Sequence, residues 1–220
     1  ALPIYKKIKK CSNRSLVRNR GASLARYNIL CFLDNDMLTP PDFIQRHYDE
    51  HQKQNHLVVM GCRRSLTEFD ISAIGEETLR NNFGLLEKLP WYTDERLEMY
   101  EEREQWRFVF SHTLTVEADD FYVAGQFNVK FGEHWGFEDL DFGFNLMQND
   151  CSFKLITDSF TYHQPHFSQS KKRQANKKII EICDELGFLL SNREFVEKHS
   201  HANYNVYNAE YPILYPSDSI

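Results

Sequence analysis

No run of apolar residues in this chain of 220 approaches the length of a membrane span, and no signal peptide is visible. The chain opens on Ala1, so further residues upstream are expected. Cysteine is scarce and unpatterned: Cys11, Cys31, Cys62, Cys151 and Cys183 are odd in number and include no Cys-x-x-Cys pair. That spacing excludes a disulfide frame and a zinc site of the usual kind, and it reads as reduced thiols in a cytoplasmic protein. Any membrane association would come through segments outside this chain. An excess of basic residues is missing as well. The formal charge of −6 argues against broad nucleic-acid binding. Repeats, low-complexity tracts and clear linkers are absent too, so residues 1–220 are read as one domain.

What is present is a globular composition, 41% hydrophobic and 14% aromatic, in a chain long enough for one sizeable core. Basic residues gather locally, at Lys6 to Lys10, Arg14 to Arg26 and Lys171-Lys172-Arg173. Such clusters are usually solvated faces. In an acidic protein they also suit a small polyanion such as a nucleoside diphosphate.

The most informative segment is Tyr27-Asn28-Ile29-Leu30-Cys31-Phe32-Leu33 followed by Asp34-Asn35-Asp36. The apolar run predicts a strand buried on both faces of a largely parallel sheet, with Cys31 as a small core residue. Folds of the α/β class bind ligands where such strands end. Asp34 and Asp36 would repel one another unless a cation lay between them, and oxygen ligands suit Mg²⁺ or Mn²⁺. The plain structural alternative for Asp36 is a helix cap, since Pro40-Pro41-Asp42 follows closely.

Along the chain, periodicity predicts a strand over 2–8, a helix over 16–26, a helix over 41–54 and a buried strand over 57–61. Residues 62–107 read as an excursion packed over the sheet, with a charged helix at 94–105. Strands are expected at 108–116 and 121–124, and a late strand pair at 153–156 and 160–163. A long amphipathic helix over 171–190 and an aromatic tail over 204–215 complete the pattern. The tail is read as packing on the chain's own core, with a second subunit as the alternative.

A second segment, Trp135-Gly136-Phe137-Glu138-Asp139-Leu140-Asp141-Phe142-Gly143, places Asp139 at the start of a helix whose apolar face enters the core. Acids in a first helical turn are stabilised by the helix dipole, which is the plain explanation for Glu138, Asp139 and Asp141. That explanation does not call for Trp135 and Gly136 just ahead. A Trp face stacks on the apolar side of a sugar ring, and adjacent carboxylates accept hydrogen bonds from its hydroxyls or a proton from an attacking one. A third segment, Tyr162-His163-Gln164-Pro165-His166, sits on a strand end or turn because Pro165 interrupts a helix. His163 and His166 are candidates to complete the coordination of a cation held by Asp36.

Together these segments resemble the inverting glycosyltransferases of the GT-A fold, in the broad family 2 group. The parts most alike are those of β-1,4-galactosyltransferases and chondroitin-polymerase-type catalytic domains. The resemblance runs from Arg18-Asn19-Arg20-Gly21 through Phe32-Leu33-Asp34-Asn35-Asp36, Val123-Ala124-Gly125-Gln126-Phe127 and Trp135-Gly136-Phe137-Glu138-Asp139 to His163-Gln164-Pro165-His166, over roughly residues 1–170.

The resemblance implies a Rossmann-like, mixed and mostly parallel sheet flanked by helices, whose first nucleotide-binding strands lie outside this sequence. Residues 1–61 would form the donor and metal half, 62–107 the excursion, 108–170 the acceptor and catalytic half, and 171–220 a lid, C-terminal helix and tail. It assigns Asp139 as catalytic base and Glu138 as the group orienting the acceptor, on which Trp135 stacks. Arg18, Asn19, Asp34 and Asp36 would bind the donor. Asp36 with His163 or His166 would hold Mn²⁺ (or Mg²⁺). The expected reaction moves a sugar from a nucleotide diphosphate, UDP by preference, to a hydroxyl of a saccharide or glycoconjugate, inverting the anomeric centre, in polysaccharide biosynthesis. Two other readings are a non-catalytic sugar-nucleotide binder and a metal-dependent nucleotidyltransferase or phosphodiesterase. The chain departs from the family pattern at Gln126, Asn128 and Asn145, where relatives often carry Gly, Asp and Arg.

Overall fold

Local sequence and tertiary packing agree first at helix α1 (Arg14–Ala22), in a computed structural model that describes residues 13–66, 74–92, 94, 96–99, 104–131 and 138–164. Asn13 caps α1, its side chain accepting from the Leu16 amide at 2.8 Å. Strand β1 (Ile29–Leu33), the short β2 (Met37–Leu38), α2 (Phe43–His51) and the long β3 (Leu57–Leu66) follow. The excursion holds α3 (Glu76–Asn81), a 3₁₀ turn (Phe83–Lys88), β4 (Trp91–Tyr92), α4 (Arg96–Met99) and a second 3₁₀ turn (Gln105–Phe108). Then come β5 (Thr113–Glu117), α5 (Ala118–Val123), α6 (Glu138–Gln148) and β6 (Ser152–His163). The predicted strand at 2–8, helix at 171–190 and aromatic tail lie outside the described residues.

The sheet has six strands in the order β1-β5-β3-β6-β2, with β4 pairing to β3. It is mixed as expected, but among the described strands only β3 and β6 pair in parallel. Strand β1 also differs from the expected two-sided burial. Leu30 and Phe32 face the core while Cys31 and Leu33 are exposed, so β1 shows the alternation of a one-sided strand. The strands enclosed on both faces are β3, with Leu57 through Cys62 all buried, and β5, with Thr113 through Val116 all buried.

Three further expectations are corrected. Residues 121–123 are helical and Ala124 is the C-cap, because Phe121 and Ala124 face inward at i, i+3 spacing while Tyr122 and Val123 are exposed, and Asp119 and Asp120 favour the helix start. The strand expected over 108–116 begins only at Thr113, after a 3₁₀ turn that buries Phe108. The late strand pair is one strand, β6, in which the register jumps from Gly61↔Ile156 to Cys62↔Phe160. This bulge bends β6. Beyond it, β2 adds to β6 while the turn at Asp34 to Met37 returns the chain to β1, so the two ends of the strand order meet at one end of the sheet.

The excursion is anchored by a buried ion pair. Arg96, 1% exposed, binds Asp94 and donates to the carbonyls of Gly61 at 2.6 Å and Phe108 at 3.2 Å. Asp94 in turn accepts from the Arg63 amide at 3.0 Å. Every charged atom thus has partners, the condition under which a buried pair is tolerated.

Candidate active site

Four phenylalanines set the floor of the site. Phe32 of β1, Phe121 of α5, Phe127 of the following loop and Phe142 of α6 pack with ring centroids 4.5–5.9 Å apart. This cluster fixes β1, α5, the loop and α6 against one another. Helix α1 has only Ser15 and Ala22 buried, and polar clamps dock it instead. The Asn19 side chain donates to Phe127 O at 2.8 Å and accepts from Phe127 N at 3.0 Å, and Asn13 Nδ2 donates to Val129 O at 2.7 Å.

That docking carries the Arg18 guanidinium over the Phe127 ring, 5.3 Å from its centroid. From there Arg18 Nη1 donates to Glu138 Oε1 at 3.0 Å and lies 3.8 Å from Asp139 Oδ1, while Nη2 lies 3.7 Å from Asp34 Oδ1. Residues more than a hundred positions apart in sequence are thus gathered around one cation. Glu138 Oε2 is buried with no hydrogen-bond partner among the described residues, an acceptor open to a ligand.

Asp139 opens α6 as the sequence predicts, with its side chain 24% exposed. Burial among protein atoms is the largest influence on it and raises its pKa to about 7. Arg18 opposes that rise, Glu138 adds to it, and the hydroxyl and amide of Ser111 oppose it. A carboxylate near 7 is poised to take a proton at neutral pH.

Asp34, Asn35 and Asp36 form a turn closed by Met37 N donating to Asp34 O at 3.2 Å. Asp36 is not a helix cap. Its Oδ2 faces His163 Nε2 at 3.4 Å, and its carbonyl accepts from Gln164 N at 2.9 Å. Asp42 stands at the N-terminus of α2, where it binds Arg46 without capping the backbone. Neighbouring ligands bonded to one cation at about 2.1 Å lie roughly 3 Å apart, and an imidazole with a carboxylate suits Mn²⁺ or Mg²⁺. Asp36 and His163 therefore fit a divalent cation as two adjacent ligands. Among the described residues no group of three or more His, Cys, Asp or Glu forms a metal cluster. Mg²⁺ is commonly held in that sparse way, by one or two protein groups with substrate phosphates.

Residues 5–107 match the family model Glycosyl transferase family 2. Over those residues, just under half of its length, the chain is similar to a family 2 glycosyltransferase domain. It is 29% identical over 214 residues to the hyaluronan synthase of Pasteurella multocida, covering 86% of this chain and 22% of that protein. With the chondroitin synthase of Escherichia coli it shares 28% over 185 residues, 74% of this chain and 27% of the other. The chain therefore spans about a fifth to a quarter of the length of these relatives. It also matches the crystal structure of GalNAc-T7 with UDP, GalNAc and Mn²⁺ at a TM-score of 0.52 and 11% identity, over 87% of this chain and 39% of that one. That likeness speaks for the fold, which is GT-A-like.

Among the described residues the structure brings Arg18 and Asp34, inside the matched stretch, together with Glu138 and Asp139 beyond it, and sets Asp36 beside His163. Asn19 adjoins Arg18 with its amide engaged on the Phe127 backbone. Trp135, His166 and the basic stretch at 171–173 lie outside the described residues.

Sequence reading missed Ser111 and His112, which fall inside the strand expected over 108–116 although they interrupt its apolar run. The His112 carbonyl accepts from Asp34 N at 3.3 Å. Thr113 Oγ1 donates to Gly61 O at 2.7 Å, so it accepts from His112 Nδ1 at 2.8 Å. His112 is thereby held as the Nδ1-protonated tautomer, with Nε2 a buried acceptor that has no hydrogen bond among the described residues. Burial first, then Arg63, Arg96, His163 and Arg18, keep its pKa well below the usual histidine range.

No described helix is long and apolar enough to cross a membrane.

Proposed function

We propose that this chain transfers a sugar from a nucleotide diphosphate, UDP by preference, to a hydroxyl of a saccharide acceptor in polysaccharide assembly, with inversion. The observation that carries the reading is the Arg18 bridge. One guanidinium reaches Asp34 of the acidic turn on one side and Glu138 with Asp139 on the other. A donor bound at the turn would therefore meet an acceptor held at the head of α6. The names of the relatives, hyaluronan and chondroitin synthases, support a polysaccharide product. The UDP and Mn²⁺ of the GalNAc-T7 crystal structure support the donor and the metal.

In this reading Glu138 and Trp135 hold the acceptor, and Asp139 removes the proton from its attacking hydroxyl. The oxygen forms a bond to the anomeric carbon from the face opposite the diphosphate. The bond from that carbon to the diphosphate breaks, and the nucleotide leaves with the electron pair. Asp36 with His163 would hold a divalent cation, His166 being a further candidate, which when bound neutralises charge on the leaving diphosphate. Asp34 and Arg18 set the donor's position beside it.

Two measurements test this. UDP is titrated calorimetrically with and without Mn²⁺ into wild type and Asp36→Ala, with metal-dependent binding expected only in the wild type. Sugar transfer from UDP-sugars is then compared with Asp139→Asn, expected to lose on the order of 10²–10⁴-fold in turnover. UDP binding indifferent to Mn²⁺ and to Asp36 removes the metal assignment. Turnover undiminished in Asp139→Asn removes the base, and a total lack of transfer in wild type leaves a sugar-nucleotide binder.

A further inference from the structure

Ser111, one of the two residues that sequence pattern passed over, is 2% exposed and lies in the turn between the second 3₁₀ turn and β5. Its neighbours are fixed from several sides. The Phe108 carbonyl accepts from Arg96 at 3.2 Å, and the Phe110 ring lies 5.1 Å from the same guanidinium. The His112 carbonyl accepts from Asp34 N at 3.3 Å, and its ring binds Thr113, which is tied to Gly61 O. Gly143 of α6 lets this segment come close, since Trp106 O and Val109 occupy the space a side chain there would need. Trp106 also packs on Phe144 of α6, ring centroids 5.3 Å apart. The segment is thus held against the helix that carries Asp139.

Within that frame the Ser111 hydroxyl is left for Asp139. Ser111 Oγ is buried and makes no regular hydrogen bond among the described residues, and the same holds for Asp139 Oδ1. Buried polar atoms seldom stay unpaired, and these two belong to residues that meet. The hydroxyl and the amide of Ser111 both reach the Asp139 carboxyl and favour its charged form. The other groups facing that carboxyl, among the described residues, are Arg18 of α1 and its own neighbour Glu138. Arg18 Nη1 lies 3.0 Å from Glu138 but 3.8 Å from Asp139, so its direct hydrogen bond goes to Glu138. With Oδ1 buried and the side chain 24% exposed, the Asp139 carboxyl is enclosed at one end and open at the other.

We infer that Ser111 is a positioning residue for the base, its hydroxyl holding the Asp139 carboxylate in the orientation that meets the acceptor hydroxyl. The inference rests on the reading of Asp139 as base, and it adds a residue that acts through Asp139 without touching substrate. Since the His112 carbonyl binds the Asp34 amide, the same turn ties the base to the acidic turn at the end of β1. A hydrogen bond to the charged form favours that form, so a carboxyl deprived of the hydroxyl keeps its proton to higher pH.

The test compares wild type with Ser111→Ala, which removes the hydroxyl and keeps the amide, and Ser111→Thr, which restores a hydroxyl. Urea unfolding establishes that each variant is folded, and Ser111→Cys, close to serine in size and a weaker donor, serves where Thr is not accommodated. Carbon-13 NMR of the aspartate carboxyls, with Asp139 assigned through Asp139→Asn, follows its titration without substrate. The midpoint should rise by about one unit in Ser111→Ala, return in Ser111→Thr and fall between in Ser111→Cys. The acidic limb of kcat/KM for sugar transfer should move up with it while KM for the donor holds. An unmoved midpoint in folded Ser111→Ala overturns the inference, and so does a uniform fall in kcat with the limb in place. If wild type transfers no sugar the proposed function fails, and the NMR midpoint still decides whether the Ser111 hydroxyl holds Asp139.

Discussion

Arg18 Nη1 and Glu138 Oε1 lie 3.0 Å apart, joining α1 to the first turn of α6 across most of the described chain. Both side chains are largely buried, at 18% and 4% exposed, so the contact is shielded from solvent and sets the electrostatics of its neighbour Asp139.

Replacing Arg18 by Met keeps the volume and removes the charge. Arg18 lowers the Asp139 pKa against burial, so without it the carboxyl holds its proton to higher pH than about 7. The acidic limb of the activity profile should move up by roughly one unit or more. A pH–rate profile of kcat/KM checks this. A uniform loss with an unmoved limb would leave Arg18 a structural role alone.

Gly143 faces inward from α6 at a point where a methyl group would overlap the carbonyl oxygen of Trp106 and press on Val109 Cβ at 3.0 Å. In an open helix, glycine to alanine stabilises by about 1 kcal/mol. Here Gly143→Ala should instead destabilise by about 1–3 kcal/mol or more, because neither backbone can give way without moving the second 3₁₀ turn. Urea unfolding of the variant against wild type measures the sign directly.

Stability should fall as the solution is acidified below about pH 6.5. His47 and His51 of α2 are buried and share the Thr115 hydroxyl at 2.9 and 3.0 Å. Burial, with His51 beside it, lowers the His47 pKa to about 4, and burial likewise lowers that of His51. The unfolded chain binds these protons near the ordinary histidine pKa of about 6.5, whereas folded His47 binds its own only near 4. Between those values the unfolded state holds more protons, so stability rises with pH there and is fully present above 6.5. His47 alone accounts for on the order of 3 kcal/mol across the window. Urea midpoints from pH 4 to 7.5, repeated on His47→Gln, should show the slope shrink in the variant.

Much of the site was legible because its residues stand next to their own structural cues. The apolar run before Asp34-Asn35-Asp36 announces a strand end, and Asp139 stands where Phe142 and Leu146 begin a helical stripe. Ser111 and His112 were not legible, since Phe108 and Val109 before them and Leu114 and Val116 after them read as one strand. What separates the two is a turn at Ser111 and His112, after a 3₁₀ turn packed against α6, a tertiary contact with no local period. The helix over Ala118–Val123 was misread for a related reason, as four apolar residues in a row satisfy either period.

The sequence by itself picked out the candidate side chains, because the acids, His163 and Arg18 lie beside strand and helix ends that local pattern marks. It also determined the absence of an apolar membrane-length run and of a cysteine framework. Only the tertiary structure decided which of those groups meet. Arg18 reaches Asp34, Glu138 and Asp139 because two amide clamps and a stacked phenylalanine floor hold α1 there. His163 faces Asp36 because β2 pairs with the far end of β6, Met37 opposite His163. Neither arrangement has a local period, since each depends on contacts between residues roughly a hundred or more positions apart.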